Sequence, residues 1–581
     1  MIKRMKTLAG SIREYRKASI LTPSFVALEV VLECIIPYLM ARLIDRMTGE
    51  SLSPILGTGV ILILAAMCSL VCGVMSGRCA ATAGCGFAKN LRKDLFHRIQ
   101  TFSFSDIDRF STASLVTRMT TDVSNVQNAF QMLIRIAVRT PMMLIFSIAM
   151  SVAISARMSV IFFAIVPVLG LGLFLISHTV LPIFKRIFVR YDALNNSVQE
   201  NVAGIRVVKS FVREEFEQKK FENASEEVRK DFSHVERILA LNNPMMMTCM
   251  YVAMLLVSFF GARMIVLSGG TDLTTGQLSS LISYGIQILS SMMMLSMVFV
   301  MITIASESAG RIVEVLEYES TLTSPLNALT RVPDGSIDFD NVSFRYSTGS
   351  GRDALTGINL HIRSGQTVGI IGSTGSSKTT LIQLISRLYD TTEGVVRVGG
   401  HNVREYDLDA LRQQVAVVLQ KNVLFSGTIR DNLRWGKEDA TDEEIRKACR
   451  IAQADEFVRS FPEGYYTYIE QGGTNVSGGQ KQRLCIARAL LRHPKILILD
   501  DSTSAVDTRT DALIQRGFAE EIPDTTKIII AQRVSSVEHA DVILVMEGGR
   551  IAEQGTHEEL MALKGIYYEI YTIQTHGKEV A

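Results

Sequence analysis

Gly372-Ser-Thr-Gly-Ser-Ser-Lys378-Thr379 decides how this chain is read. Glycines, a lysine and a threonine at this spacing form a phosphate-cradling loop when a strand precedes them and a helix follows. Both conditions hold: Gln366 to Ile371 is a short β-type run, and Thr379 to Leu388 returns to apolar residues at helical spacing. Backbone N–H groups of Gly372, Ser373, Thr374, Gly375, Ser376 and Ser377, continued by Lys378, Thr379 and Thr380 at the helix N-terminus, are placed to hold phosphate oxygens. Lys378 is expected to neutralise the outer phosphates and Thr379 to ligate Mg²⁺.

Outward from the loop, 581 residues are too many for one core, and an apolar content of 48% points to a membrane segment joined to a soluble one. The net charge of +2, from 60 basic and 58 acidic residues, gives no electrostatic case for nucleic acid as a partner. Eight cysteines lie mostly in apolar or helical segments without metal-ligand spacing, as expected of packing thiols. A bilayer needs roughly 20 apolar residues per helix. Six runs qualify: Ala18 to Ala41, Ser51 to Gly77, Thr140 to Ala156, Met158 to Phe184, Ile238 to Ala262, and a stretch within Leu273 to Ser306. The first run contains Glu29 and Glu33 and lacks a small-residue cleavage pattern, so it is expected to remain as a spanning helix rather than be removed as a signal peptide. Charged helical segments separate the second span from the third and the fourth from the fifth; folded as antiparallel pairs of about 25 residues, they would project roughly 35 to 40 Å. Lys3, Arg4, Lys6, Arg13, Arg16 and Lys17 precede the first span, which predicts a multi-pass protein with both termini in the cytoplasm. Breaks at Ser324-Pro325 and Pro333-Asp-Gly335 place the domain boundary near residue 325.

Further motifs flank the loop. Val476-Ser477-Gly478-Gly479-Gln480 opens a helix, Ile496 to Leu499 is a buried-strand run ending in Asp500-Asp501, Tyr346 lies upstream and Gln420 between. Their order and spacing resemble the ATP-binding cassette family, and the six apolar runs resemble its half-transporter exporters, over nearly the whole chain. The resemblance implies a membrane all-α domain of six spanning helices and two long cytosolic arms over residues 1–325. A mixed α/β phosphate-loop nucleotide-binding domain follows over residues 326–581. It implies ATP and Mg²⁺ as cofactors, a Tyr346 ring stacked on adenine, Asp500 reaching the metal, and Gln420 sensing metal and γ-phosphate. Ser477, Gly478, Gly479 and Gln480 match the signature with which one subunit closes over ATP held by the other. Asp507, in Ser504-Ala-Val-Asp507, matches a residue that communicates between the two sites, and the turns of the arms, Phe104 to Thr121 and Glu200 to Phe216, match loops that dock onto nucleotide-binding domains.

Three positions depart from the family pattern. Ser377 stands where a glycine precedes the lysine, Asp501 where a catalytic glutamate is expected, and Gln532 where a histidine is expected. Asp501 is one methylene short, setting its carboxylate about 1 to 1.5 Å back, and misplacement of that order can cost about a hundredfold in rate. Gln532 donates a hydrogen bond but carries neither the charge nor the proton of histidine. A weak hydrolytic site beside an intact signature predicts a heterodimer in the plasma membrane, whose second half-transporter carries the competent site. Glu29 and Glu33, four residues apart on one helical face, could face a cationic substrate or pair with a basic neighbour. Methionines at Met245 to Met247, Met250, Met254, Met292 to Met294, Met297 and Met301 suit a cavity accepting varied shapes. Export of hydrophobic or amphipathic drugs fits this pattern; lipid or lipopeptide export, and a regulatory ATP-binding subunit without transport, are the alternatives.

Overall fold

Three of the apolar runs become helices of 48, 48 and 43 residues, far longer than a bilayer requires, because they continue into polar segments without a breaker. A computed structural model describes residues 2–47, 52–346, 351–501 and 506–576. The chain divides into two compact units, Met1–Gln100 with Ala113–Tyr318, and Thr101–Thr112 with Glu319–Ala581.

In the first unit α1 (Ile2–Ala9) and a 3₁₀ segment lead into α2 (Arg16–Arg46), followed by α3 (Ser53–Gln100). After the short α4 (Phe104–Phe110), which belongs to the second unit, come α5 (Thr112–Thr117), a π-helical turn and α6 (Val123–Ile154). The chain continues as α7 (Ala156–Ala203), α8 (Ile205–Ser210), α9 (Glu214–Leu239), α10 (Asn242–Ser268) and α11 (Thr275–Glu317). Among the described residues, six helical stretches are long and apolar enough to cross a membrane. Their outward residues, such as Leu64, Phe163, Phe174 and Leu255, are exposed as lipid-facing side chains should be. From Gly77 to Gln100, α3 runs on for roughly 35 Å, the projection expected of a cytosolic arm.

Two span boundaries differ from the sequence expectation. The third and fourth spans part at Ser155, in extended conformation, whose hydroxyl caps the next helix, so Ala156 opens the fourth span rather than ending the third. The fifth span begins at Asn242 after a break at Ala240 and Leu241, leaving Ile238 on the preceding helix. Hydropathy averages over a window and does not register a one-residue cap. Ser51, the expected start of the second span, lies outside the described residues.

Thr22, Val26, Glu29, Val30, Cys34, Pro37 and Ala41 are buried on α2 at steps of three and four, one face of the helix. This face is tied to α11 by Tyr284 Oη donating to the Cys34 carbonyl (2.6 Å), Ser280 Oγ to the Pro37 carbonyl (2.5 Å) and Thr274 Oγ1 to Asp45 (2.7 Å). The two glutamates of the first span are not free for a cation. Arg139 of α6 donates Nη1 to Glu29 (2.7 Å) and Nη2 to Glu33 (2.8 Å), and Ser76 Oγ also reaches Glu29 (3.3 Å). Of the two roles the sequence allows these glutamates, the structure shows the pairing with a basic neighbour, an arginine just outside the third span as the sequence delimits it. Arg139→Gln leaves two carboxylates without their cation and should destabilise the unit by about 2 kcal/mol or more. Thermal unfolding in detergent checks this, with partial recovery expected on adding Glu29→Gln and Glu33→Gln. The methionines divide: Met245, Met246, Met250 and Met292 pack against the core, whereas Met293, Met294 and Met297 are exposed.

In the second unit, runs rich in Ile, Val and Leu form the strands. They are β1 (Ile337–Phe344), β2 (Leu355–Ile362), β3 (Thr367–Gly372), β4 (Glu393–Val398), β5 (His401–Asn402) and β6 (Val415–Val418). After them come β7 (Gly427–Thr428), β8 (Tyr468–Ile469), β9 (Ile496–Asp500), β10 (Thr526–Ile530), β11 (Val542–Glu547) and β12 (Arg550–Gly555). A six-stranded sheet has the order β12-β11-β3-β10-β9-β6, parallel except for β12 at its edge. An antiparallel sheet of order β2-β1-β4-β5 lies in the same unit. β9 and β10 are buried at every position, as interior parallel strands covered on both faces should be. This topology brings the ends of β3, β9 and β10 side by side, where open α/β sheets bind ligands.

Candidate nucleotide site

The loop after β3 is held by local geometry. A Cβ at Gly372 would collide with the Met546 carbonyl of the neighbouring strand, so only glycine fits there. Lys378 begins the helix Lys378–Ile385 and folds back over the loop, donating from Nζ to the carbonyls of Gly372 (2.9 Å) and Ser373 (2.8 Å) and to Ser376 Oγ (3.3 Å). Ser377 sits at φ 67°, ψ 27°, the left-handed region that a Cβ disfavours. The departure seen in the sequence is therefore a serine occupying a conformation suited to glycine. Ser377→Gly should stabilise the nucleotide-binding unit by about 1 kcal/mol and tighten MgATP binding a few-fold, as read by thermal melting and equilibrium titration.

Beside the loop, Thr379 Oγ1 donates to Asp500 Oδ1 (3.1 Å) and Oδ2 (2.9 Å). Burial pushes the Asp500 and Asp501 carboxyls above the usual carboxylate range and draws the Lys378 ammonium down. A phosphate-bearing, metal-bound ligand would add charges of both signs and relieve this desolvation. The donor set of Thr379 hydroxyl, Asp500 carboxylate and Gln420 amide oxygen is all hard oxygen and fits Mg²⁺. When bound there, the ion would supply positive charge against phosphate oxygens.

Asp501 is buried with φ 49°, and its Oδ2 accepts from Gln532 Nε2 (2.7 Å) and from Gln420 Nε2 (3.4 Å). The two departures from the family pattern thus touch each other. Their surroundings were not legible in the sequence. Gln482 Nε2 donates to the Asp501 carbonyl (3.1 Å), and Gln574 of the helix Ile566–His576 clamps the Gln532 segment, donating to the Gln532 carbonyl (2.8 Å) and accepting from Val534 N (2.9 Å). A cavity of about 690 Å³ is lined by Gly372 to Gly375, Ser377 to Thr380, Gln420, Asp500, Asp501, Gln532 and Gln574.

Tyr346 lies outside that lining, with its hydroxyl 3.0 Å from Thr380 Oγ1 and donating to Gln383 Oε1 (3.2 Å). Tyr389 meets it edge-on, ring centroids 5.3 Å apart, and donates its own hydroxyl to Asp108 in the Thr101–Thr112 segment (2.8 Å). Tyr389 carries no motif of its own, so only the fold reveals it. Ser477 caps the helix Gly478–Leu490 through a capping box: Gln480 N donates to Ser477 Oγ (3.3 Å) and Ser477 N to Gln480 Oε1 (2.9 Å). The signature does not line this chain's own cavity. Asp507 also stands apart, capping the helix Thr508–Glu521 through Thr510. Ser504 and Ala505 lie outside the described residues.

Known proteins match this architecture at both ends. The model of the ABC transporter transmembrane region matches residues 20–305, and the ABC transporter model matches residues 355–504. The chain is 35% identical over 552 residues to the Bacillus subtilis "uncharacterized ABC transporter ATP-binding protein YfiB", covering 95% of each. It is also 35% identical over 488 residues to the "probable multidrug resistance ABC transporter ATP-binding/permease protein YheI" of the same organism, covering 84% of this chain and 83% of that one. The fold matches a solved bacterial Atm1-family ABC exporter with ATP bound, at a TM-score of 0.83 and 24% identity, covering 96% of this chain and 99% of that one. With six spanning helices ahead of an ATP-binding unit built round the loop, this chain belongs to the ABC transporter family as an exporter-type half-transporter, a multi-pass membrane protein of an ATP-hydrolysing class.

Proposed function

We propose that this chain is one subunit of a heterodimeric ABC exporter that moves hydrophobic or amphipathic compounds out of the cell. It holds MgATP at a slowly hydrolysing site and lends its intact signature to the partner's catalytic site. The observation that carries the reading is the bond between Asp501 and Gln532. Hydrolysis needs a group that orients an attacking water beside the γ-phosphate. Here the short carboxylate is engaged by the amide that replaces histidine, so neither group is poised for water. Ser477 and the first turn of its helix retain the hydroxyl, glycine amides and positive end suited to a phosphate.

A partner is supported independently by the second arm. Val202, Phe211, Val212 and Phe216 near its turn are 66%, 72%, 80% and 59% exposed, a cluster of large apolar side chains that a single chain leaves uncovered. Both termini lie in the cytoplasm, following the basic residues before the first span, and export out of the cell places the chain in the plasma membrane. ATP binding favours an outward-facing state, and hydrolysis at the partner's site resets it. Arg139 occupies both glutamates of the first span, which removes the main support for a cationic cargo. The purified chain alone should turn over ATP slowly, and with a half-transporter that carries the glutamate and histidine it lacks should turn over briskly. Equal rates would contradict the heterodimer.

A further inference from the structure

The helix Ile566–His576 reaches the phosphate cavity from the β12 edge of the sheet. Its start is tied to β12, where the Glu553 carboxylate accepts from Ile566 N (2.6 Å) and Tyr567 N (3.0 Å). A Cβ at Gly565 would collide with that carboxylate, so a glycine precedes the helix. Tyr567 is fully buried, with its hydroxyl 2.6 Å from His557 Nδ1. From this anchor Ile566, Ile570 and Gln574 recur at steps of four, and the face they share lines the cavity beside Lys378.

Gln574 spends its whole side-chain amide on backbone: Nε2 donates to the Gln532 carbonyl (2.8 Å) and Oε1 accepts from Val534 N (2.9 Å). These two residues follow the end of β10 at Ile530, where the sheet no longer supplies partners for backbone groups. One amide bonded on both sides of Arg533 fixes the orientation of the segment as well as its distance. The side chain carried by that segment is Gln532, exposed at the cavity it lines. Of its two amide N–H groups, one donates to Asp501 Oδ2 (2.7 Å) and the other has no partner among the described residues. With the backbone clamped and the first N–H tied to Asp501, the second is held at the end of the cavity where Lys378 and Thr379 also converge. A donor immobilised before its ligand arrives loses little freedom on binding, which favours the ligand that reaches it.

We propose that Gln574 is a positioning residue for nucleotide recognition: through the Gln532–Val534 backbone it presents the Gln532 amide to a terminal phosphate, so that the loop prefers a nucleoside triphosphate to a diphosphate. The inference rests on nucleotide binding at the Lys378 loop. It depends neither on slow hydrolysis there nor on a partner chain.

The test is equilibrium binding of MgADP, and of a non-hydrolysable β,γ-imido analogue of MgATP, to the full-length chain in detergent. The wild-type chain should bind the triphosphate analogue more tightly. Gln574→Leu should weaken the analogue by about fivefold, the loss of one hydrogen bond to a charged group, and move MgADP affinity by less than about twofold. Gln532→Ala should do the same, and combining it with Gln574→Leu should add nothing further, because Gln574 acts through Gln532. Gln574→Glu is equal in size, keeps the acceptor for Val534 N and loses the donor to the Gln532 carbonyl, so it should shift the preference in the same direction even where the leucine variant does not fold. Hydrogen exchange of the nucleotide-free chain gives a readout without ligand: the Val534 amide should exchange faster in Gln574→Leu and stay protected in Gln574→Glu. Equal weakening of both nucleotides, additive losses in the double variant, or Val534 exchange unaltered in the leucine variant would each overturn the proposal. A chain that binds neither nucleotide would overturn the reading of the loop itself, whereas one that binds both and ignores Gln574 overturns this inference alone.

Discussion

Gly479→Asp should cut ATP turnover by the assembled transporter by about a hundredfold or more, an effect larger than any substitution in this chain's own hydrolytic pair. Gly479 is the second residue of the helix Gly478–Leu490, whose capping box leaves its first turn intact. A carboxylate there favours the helix itself, because negative charge near a helix N-terminus is stabilising. The variant should therefore fold. Against a γ-phosphate presented by the partner, the same carboxylate is repulsive: two unit charges at 4 Å oppose each other by about 4 kcal/mol near a protein surface. MgATP binding to this chain's own loop should be unchanged, since the signature does not line the cavity around Lys378. By contrast Asp501→Asn should alter the assembly's turnover less than about twofold. Steady-state ATPase assays of the two variants, each with the wild-type partner, check the contrast. Equal losses would mean that both sites carry hydrolysis alike.

Restoring both departures together should raise hydrolysis at this chain's own loop by tens of fold, whereas either change alone should give less than about threefold. Asp501→Glu lengthens the carboxylate but leaves it within reach of the Gln532 amide, which now donates to it at 2.7 Å. Gln532→His supplies an imidazole but leaves the carboxylate set back. Only the double variant frees a carboxylate of full length beside a group that can carry charge. Residues in direct contact are expected to be non-additive in this way. Single-turnover hydrolysis with the partner's own site disabled measures it, and additive gains would show that Asp501 and Gln532 act separately.

The local features of the fold were legible because they repeat in sequence. Six apolar runs declared the spans, and a β-type run before Gly372 with a helical pattern after Lys378 declared the loop and its α/β setting. Ser377 was visible as a departure from the family pattern, and the structure gives its physical meaning as a left-handed backbone at φ 67°. What sequence could not supply was contact across long separations. Arg139 lies 106 and 110 residues from its two glutamates, so a cation-facing role for them stood open until the helices were placed side by side. Tyr389, Gln482 and Gln574 belong to no motif. Their positions against Tyr346, Asp501 and Gln532 follow only from how the strands and helices pack. The breaks at Ser155 and at Ala240–Leu241 depend on single caps and turns inside otherwise apolar stretches. The exposure of the second arm's apolar turn depends on tertiary packing that local sequence does not display.

The most direct test is to identify the nucleotide held at each loop during steady turnover. A photoreactive ATP analogue is cross-linked to the working assembly of this chain with the proposed partner, and each chain is then assayed for triphosphate and diphosphate. Predominantly intact triphosphate on this chain and diphosphate on its partner is the predicted outcome. Diphosphate accumulating on this chain as fast as on the partner would contradict the account.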